Sequence, residues 1–464
     1  MKKISAVLLI AVLASGLVFA GFSGSATIGV GANFDNGQYG FIDKGTNVKF
    51  NFDIATASGE AKGDGSIYAE IKGSLKLFML TDADGIKGGD PLSFTTAKIT
   101  TGDTALALIA KIDSAKIIGS NWYVGLLGVP SVPDFAKSAI DTWTVEDKTD
   151  DYGVKKADYD EKATYKVGYE KAPGVEVGVA GYKFGFGMLA KAEKTPEFKL
   201  FDKLFLTAYA ATPEYELADG LTLQVGATYS KAELKAGEDE TYGKSATNAV
   251  GASVKVAYAS DEFSASVASD IGYNLVKDVA DPFGADVALN VAYAPVTVDA
   301  YYATLANVGK DEKPDAAGTD IKNLLSVKAV VDLNTFDVPV KVIFTGKDLV
   351  NKQDLSASVE VAVMEGFTLT PKGGFAIADN KWNAGLDAKY VADAFTVKAG
   401  ASVKALAEKD AALQLGASAS IESAAIVPGA TLKLAWSDGK DLLNKIASET
   451  KNYGKIVASA KIEF

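Results

Sequence analysis

The chain closes with Tyr453-Gly454-Lys455-Ile456-Val457-Ala458-Ser459-Ala460-Lys461-Ile462-Glu463-Phe464, and this stretch reads as a β-strand that ends on an aromatic residue. Side chains alternate across a strand with a period of two. Ile456, Ala458, Ala460, Ile462 and Phe464 therefore share one face, while Lys455, Ser459, Lys461 and Glu463 fall on the other. One face suits lipid and the other water, which is the pattern of a strand in a transmembrane barrel.

A terminal aromatic on such a strand resembles the assembly signal that the insertion machinery of bacterial outer membranes recognises. The opposite terminus implies export to the same compartment. Met1-Lys2-Lys3 forms a positive n-region, an apolar run follows to Phe19, and Val18-Phe19-Ala20 places small residues where a signal peptidase reads them. We expect a signal peptide over residues 1–20, with cleavage between Ala20 and Gly21. The chain has no Cys, so it carries no lipidated cysteine and no disulfide.

Composition removes several classes of function. Of 464 residues 48% are apolar, yet after residue 20 no run approaches the ~18 apolar residues of a membrane helix. The apolar content is dispersed by alternation. His is absent, and all 47 basic residues are Lys. Without His or Cys there is no Ser-His-Asp triad, no thiol nucleophile and no zinc site of the usual ligands. The 59 acidic side chains show no pair set apart for carboxylate catalysis, so we expect no enzyme and no cofactor. A net charge of −12 argues against nucleic acid as a partner.

Alternating segments recur along the chain. Val250, Ala252, Val254, Val256 and Tyr258 share one face, as do Val287, Leu289, Val291 and Tyr293. The same period runs through 355–363, 382–390, 395–403, 413–421 and 432–436, lengths that fit the ~9–11 residues of a tilted spanning strand. Outer-membrane barrels have short periplasmic turns and longer outer loops. Counted back from Phe464, the long polar connections 437–452, 304–321, 271–284 and 231–247 all fall on the outer side, and the tight ones at 294–295 and 259–261 fall on the inner. Tyr258, Tyr273, Tyr293, Tyr301, Tyr302, Tyr390 and Trp436 lie near segment ends, as an interfacial aromatic belt requires. Small residues on the polar face, Ala288, Ala292, Gly400 and Ser402, imply a lumen not filled by bulky side chains. Lys255, Lys341, Lys398, Lys404 and Lys433 are the candidate lumen-lining charges; acidic loops oppose them, and the sign of any selectivity stays open.

The N-terminal part is less regular. Alternation is clear in 22–34, 48–54 and 67–77, but the segments 93–99, 105–112 and 116–127 crowd together and make the tally odd, where a bacterial barrel is even. The expected architecture is all-β, a transmembrane antiparallel up-and-down barrel of about 20 strands, within 18–22. Residues 129–161 are too long and polar for a turn. They hold Pro130, Pro133, an expected short helix over 134–140, Trp143 and the acidic Glu146, Asp147, Asp150 and Asp151; this outer loop either folds into the pore mouth as a constriction or stays at the surface. Asp82, Asp84 and Asp90 lack the remaining ligands of a calcium loop and read as a solvated turn, so no metal site is expected.

The run Ser23-Gly-Ser-Ala-Thr-Ile-Gly-Val-Gly31, with Gly40-Phe41, 48–54, Gly65-Ser-Ile-Tyr-Ala-Glu-Ile-Lys72, Leu92-Ser-Phe94 and Trp122-Tyr-Val-Gly125, resembles the N-terminal region of the major outer sheath proteins of treponemal spirochaetes. The resemblance covers residues 22–143, and the C-terminal part is similar in style only. It implies an abundant outer-membrane protein that forms pores and serves as adhesin and surface antigen. It also implies an alternative division, with 21–160 as a separate periplasmic region and 161–464 as the barrel. The expectation is one barrel over 21–464, a porin for passive diffusion of small solutes in the outer membrane of a diderm bacterium with surface-exposed loops. The alternative role is an adhesin that displays its loops to host surface ligands. Expected partners are outer-membrane lipids, the barrel insertion machinery, small solutes and, as in many porins, two further copies in a homotrimer.

Overall fold

A computed structural model describes residues 22–34, 37, 39–41, 47–55, 67–80, 97–101, 104–127, 133–137, 174–191, 203–232, 247–275, 283–304, 323–350, 353–378, 380–405, 413–439 and 454–463. Ala20, Gly21, Phe464, the 81–96 stretch with Asp82, and residues 138–173 lie outside the described residues. The strands are β1 (Phe22–Asn33), β2 (Tyr39–Phe41), β3 (Asn47–Ala55), β4 (Tyr68–Leu80), β5 (Ala97–Thr101), β6 (Thr104–Ile118), β7 (Trp122–Leu127), β8 (Gly174–Val179) and β9 (Tyr182–Lys191). They continue as β10 (Lys203–Ala211), β11 (Tyr215–Ala218), β12 (Leu221–Ala232), β13 (Thr247–Ala259), β14 (Phe263–Asn274), β15 (Phe283–Tyr293), β16 (Val296–Thr304) and β17 (Asn323–Asp332). The last are β18 (Val340–Lys347), β19 (Asp354–Met364), β20 (Phe367–Ala376), β21 (Lys381–Val391), β22 (Phe395–Ala405), β23 (Leu413–Ser423), β24 (Ala430–Gly439) and β25 (Lys455–Glu463).

All belong to one antiparallel sheet, and it closes because β1 pairs with β25 from Ser25↔Glu463 to Asn33↔Lys455. Closure leaves no free edge strand among those described, and neighbouring strands supply most backbone partners, the arrangement a bilayer favours. The 25 segments make a barrel of 22 strands, because three pairs share one position in the ring. β2 and β3 follow one another along the same edge of β1. β10 and β11 do so along β12. β5 and β7 share the edge of β6 that β4 does not occupy.

That third sharing explains the odd tally. Residues 116–118 continue β6 past a bulge rather than opening the next strand, and the turn falls at 119–121. The 93–99 segment is replaced by the five residues of β5, which cap the short β7 instead of forming a position of their own. The even count lies at the top of the expected range. β1–β7 stand in the same ring as the rest, between β25 and β8.

Short turns gather on the rim that holds the start of β1 and the end of β25: 180–181, 219–220, 260–262, 294–295, 365–366 and 392–394. At 180–181, Ala180 and Gly181 both have positive φ, 49° and 84°, the backbone of a two-residue hairpin whose twist matches the flanking strands. The strand ends that the connections 128–173, 233–246, 305–322 and 440–454 join stand on the far rim. Three connections break the sorting: 102–103 and 377–380 are short on the far rim, and 56–67 is long on the terminal one.

The outer face is apolar. Val250, Val254 and Val256 of β13 and Phe184, Phe186 and Met188 of β9 are exposed, and in register Ala26, Ile28 and Val30 of β1 sit beside Ile462, Ala460 and Ala458. Aromatic rings flank the short turns, with Tyr258 against Phe263 at 6.2 Å, Tyr390 against Phe395 at 6.1 Å and Tyr182 against Tyr215 at 6.2 Å between centroids. Tyr301 is not part of this belt. It is only 1% exposed and faces inward, because it follows the opposite parity from its neighbour Tyr302.

Candidate functional site: a lumen filled on one side

The inner faces divide into two arcs. On β12–β14 a piece of chain from outside the sheet lies against the wall. Residues 133–137, which follow β7, are irregular rather than helical, so the expected helix over 134–140 is not present in its described half. The N–H groups of this stretch take their acceptor from the wall, at Asp270, rather than from a helical turn of their own.

The anchoring is specific. The backbone N–H groups of Phe135 and Ala136 both donate to Asp270 Oδ2, at 2.9 and 2.7 Å. Ser253 Oγ donates to the Pro133 carbonyl at 3.3 Å. Ser253 and Asp270 are opposed in the β13–β14 register, so one inner face makes all three bonds. Gly226, opposite Ser253 on β12, leaves room for the segment: a Cβ there would come within 2.6 Å of Pro133 Cβ. Ala136 is fully buried as a result.

Polar groups beneath and beside the segment are buried in a way an open pore wall would not bury them. Asp286, opposite Asp270, is 0% exposed and accepts a hydrogen bond of 2.8 Å from the Tyr301 hydroxyl. Thr207, Thr228, Ser230 and Ser326 are buried on the same arc. Further round, Glu176 of β8 accepts from the hydroxyls of Tyr123 and Tyr209, the former at 2.5 Å. Gly185 makes space for the Tyr209 ring, which lies where a Cβ would stand. The Lys116 ammonium sits 4.6 Å from the centre of the Tyr123 ring. In each group tyrosine hydroxyls donate to a carboxylate, the kind of partner a buried acid requires.

The arc β20–β24 is different. Its inward residues are half-buried or exposed, and its charges meet as solvated ion pairs: Lys372 with Asp387, and Lys433 with Glu422 at 3.6 Å. Gly400 and Ser402 lie between them on β22, opposite Asp387 and Gly385. No described segment covers this wall.

The register places all five sequence-predicted lysines on the inner face, but it does not gather them. Lys255 on β13 pairs with Glu214 at 3.2 Å, and Lys341 on β18 pairs with Asp332 at 3.8 Å. Lys433 is paired as above, and Lys398 and Lys404 share β22. Ile456, Ala458, Ala460 and Ile462 lie on the outward face of β25, against β1 on one side and β24 on the other. Sequence reasoning missed Asp270, Asp286, Tyr301 and Ser253, and also Lys372 and Lys389. A carboxylate in mid-strand at an inward position, as in Ser-Asp270-Ile, was the available signal.

No protein-family model matches the chain, and no curated protein matches it. Solved structures do resemble it in overall form. The translocation pore of the P pilus usher PapC aligns at 11% identity and a TM-score of 0.40, over 96% of this chain and 99% of that one. The ferric enterobactin receptor PfeA of Pseudomonas aeruginosa aligns at 8% identity and 0.44, over 96% and 81%. A porin of Rh. blastica aligns at 10% identity and 0.31, over 61% and 98%. The likeness is one of barrel architecture, and nothing in these comparisons identifies the chain as a treponemal major outer sheath protein.

Proposed function

We propose that the chain is an outer-membrane porin, a passive diffusion channel narrowed from one side. The observation that carries this reading is the asymmetric lumen: residues 133–137 are hydrogen-bonded onto β12–β14, while the inner face of β20–β24 stays polar and solvated. A 22-strand ring is wide enough to hold more than its own inward side chains. In this reading solutes pass between the segment and the far wall, driven by their gradient, and no residue performs chemistry. Residues 1–20 direct export, and the β25 face with Phe464 addresses the insertion machinery.

The long far-rim connections favour a second role beside the first, display of those loops to a ligand outside the cell. Single-channel recording of the refolded chain in a planar bilayer tests the main reading. Stepwise ohmic openings are expected; folded, inserted protein that stays closed would leave display as the function.

A further inference from the structure

We propose that the open route favours small anions, such as chloride, phosphate or carboxylate-bearing solutes, and that Lys389, Lys398 and Lys404 set this preference; the inference rests on the pore reading above. The segment at 133–137 occupies the inner faces of β12–β14, so the part of the lumen that no described residue fills is bounded by the opposite wall, where β20–β24 stand. The charges on that wall decide what passes.

Among the described side chains on the inner face of β20–β24 the carboxylates are Asp387 and Glu422, and each is already neutralised, by Lys372 and by Lys433. Lys381, on the same face at the start of β21, has an interaction of its own, and Lys389, Lys398 and Lys404 are left over. Lys389 on β21 and Lys398 on β22 are directly opposed in the register, which brings their Cβ atoms within about 4.5–5.5 Å of each other. Their neighbours on the two outer sides are Thr368 and Ser420, both hydroxyls. Lys404 lies further along the same face of β22, between Asn383 and Gln414. None of the three has an ion pair to another described residue.

Like charges placed directly opposite across a ladder destabilise a sheet. An anion passing between two ammonium groups removes that repulsion, and it exchanges water for N–H and O–H donors on one wall. The net charge of −12 does not reverse the sign. Charges more than a Debye length away, about 10 Å at 0.1 M salt, are largely screened, whereas groups lining a confined route act on every ion that crosses.

The test is the zero-current potential of single channels in a KCl gradient. For the unaltered protein we expect the sign of a chloride preference. Lys389→Glu with Lys398→Glu should invert it. Lys389→Gln with Lys398→Gln should lower the chloride-to-potassium ratio several-fold, and Lys404→Gln alone should lower it less. Each variant is first checked for the heat-dependent gel mobility of a closed barrel, and the glutamine pair serves if the glutamate pair does not fold. Potassium preference in the unaltered channel, or a potential unmoved by either double substitution, would overturn the inference while leaving the pore standing. Failure of the folded protein to open at all would instead remove the pore.

Discussion

Asp286 and Asp387 are both carboxylates on the inner face of the same sheet, yet Asp286 is fully buried and the Asp387 side chain is 47% exposed. Strand chemistry does not distinguish them, since both sit at inward positions of alternating strands. What differs is whether another part of the chain lies on top. Where residues 133–137 cover the wall, a carboxylate needs a donor at close range, and Tyr301 provides it for Asp286. Where no described residue covers the wall, Lys372 meets Asp387 half exposed, and such pairs contribute little to stability, about 0–1 kcal/mol. One arc is a packed core inside a barrel, and the other is a solvated wall.

The comparison is most directly broken at Asp270. Asp270→Ala removes the acceptor for two N–H groups, and hydrogen bonds to a charged partner contribute about 1.5–3 kcal/mol each. The segment should detach and unit conductance should rise toward that of a chain whose residues 133–137 are replaced by Gly and Ser. Asp270→Asn, which keeps an acceptor, should change conductance less. Equal conductance in all of these would show that the segment does not limit the pore. Next in size, Val254→Lys puts a charge on the outward face beside Ser253 and should cost about 2–4 kcal/mol if the site lies near the bilayer midplane. Folding yield into lipid vesicles measures it, and indifference to the lysine would mean that the inward and outward faces have been exchanged.

A smaller effect is expected on the buried arc from Tyr301→Phe. It removes the hydroxyl that donates to Asp286, at about 1–3 kcal/mol, and should lower the midpoint of thermal unfolding. The smallest lies on the open arc. Lys433→Gln should change stability by no more than about 1 kcal/mol, because the ammonium and its Glu422 partner are both roughly half exposed. If the two substitutions cost the same, the two arcs are not different environments.

The barrel was legible because its signal is local. Val250 to Tyr258 declares its inward and outward faces within nine residues, and the sorting of short and long connections orients the whole ring. Errors arose where parity or partnership was hidden. Tyr301 and Tyr302 are consecutive, so only one of them can face lipid, and treating both as belt residues ignored the alternation used elsewhere. The strand from Thr104 to Ile118 carries a bulge that resets its alternation, which made its end look like the start of the next. The inward segment was foreseen as one of two options but not its seat, because Ala136 and Asp270 are 134 positions apart and neither announces the other. The leftover lysines were hidden for a related reason: Lys398 looks like any other inward lysine until the register shows which neighbours have already been neutralised.

The seam between β1 and β25 gives the barrel an order of events. It joins Ser25 to Glu463, contacts with almost the greatest separation this chain allows, and contacts of that kind carry the largest loop-closure cost and form slowly. Every other neighbour in the ring can pair as soon as the next strand arrives, but β1 must wait with one edge open until the whole chain has been delivered. In hydrocarbon an open edge is very costly, since each unpaired N–H or C=O there loses several kcal/mol. Of the described strands the one that comes earliest is therefore satisfied last, and whatever assists this chain into a membrane must shelter that edge until β25 is in place.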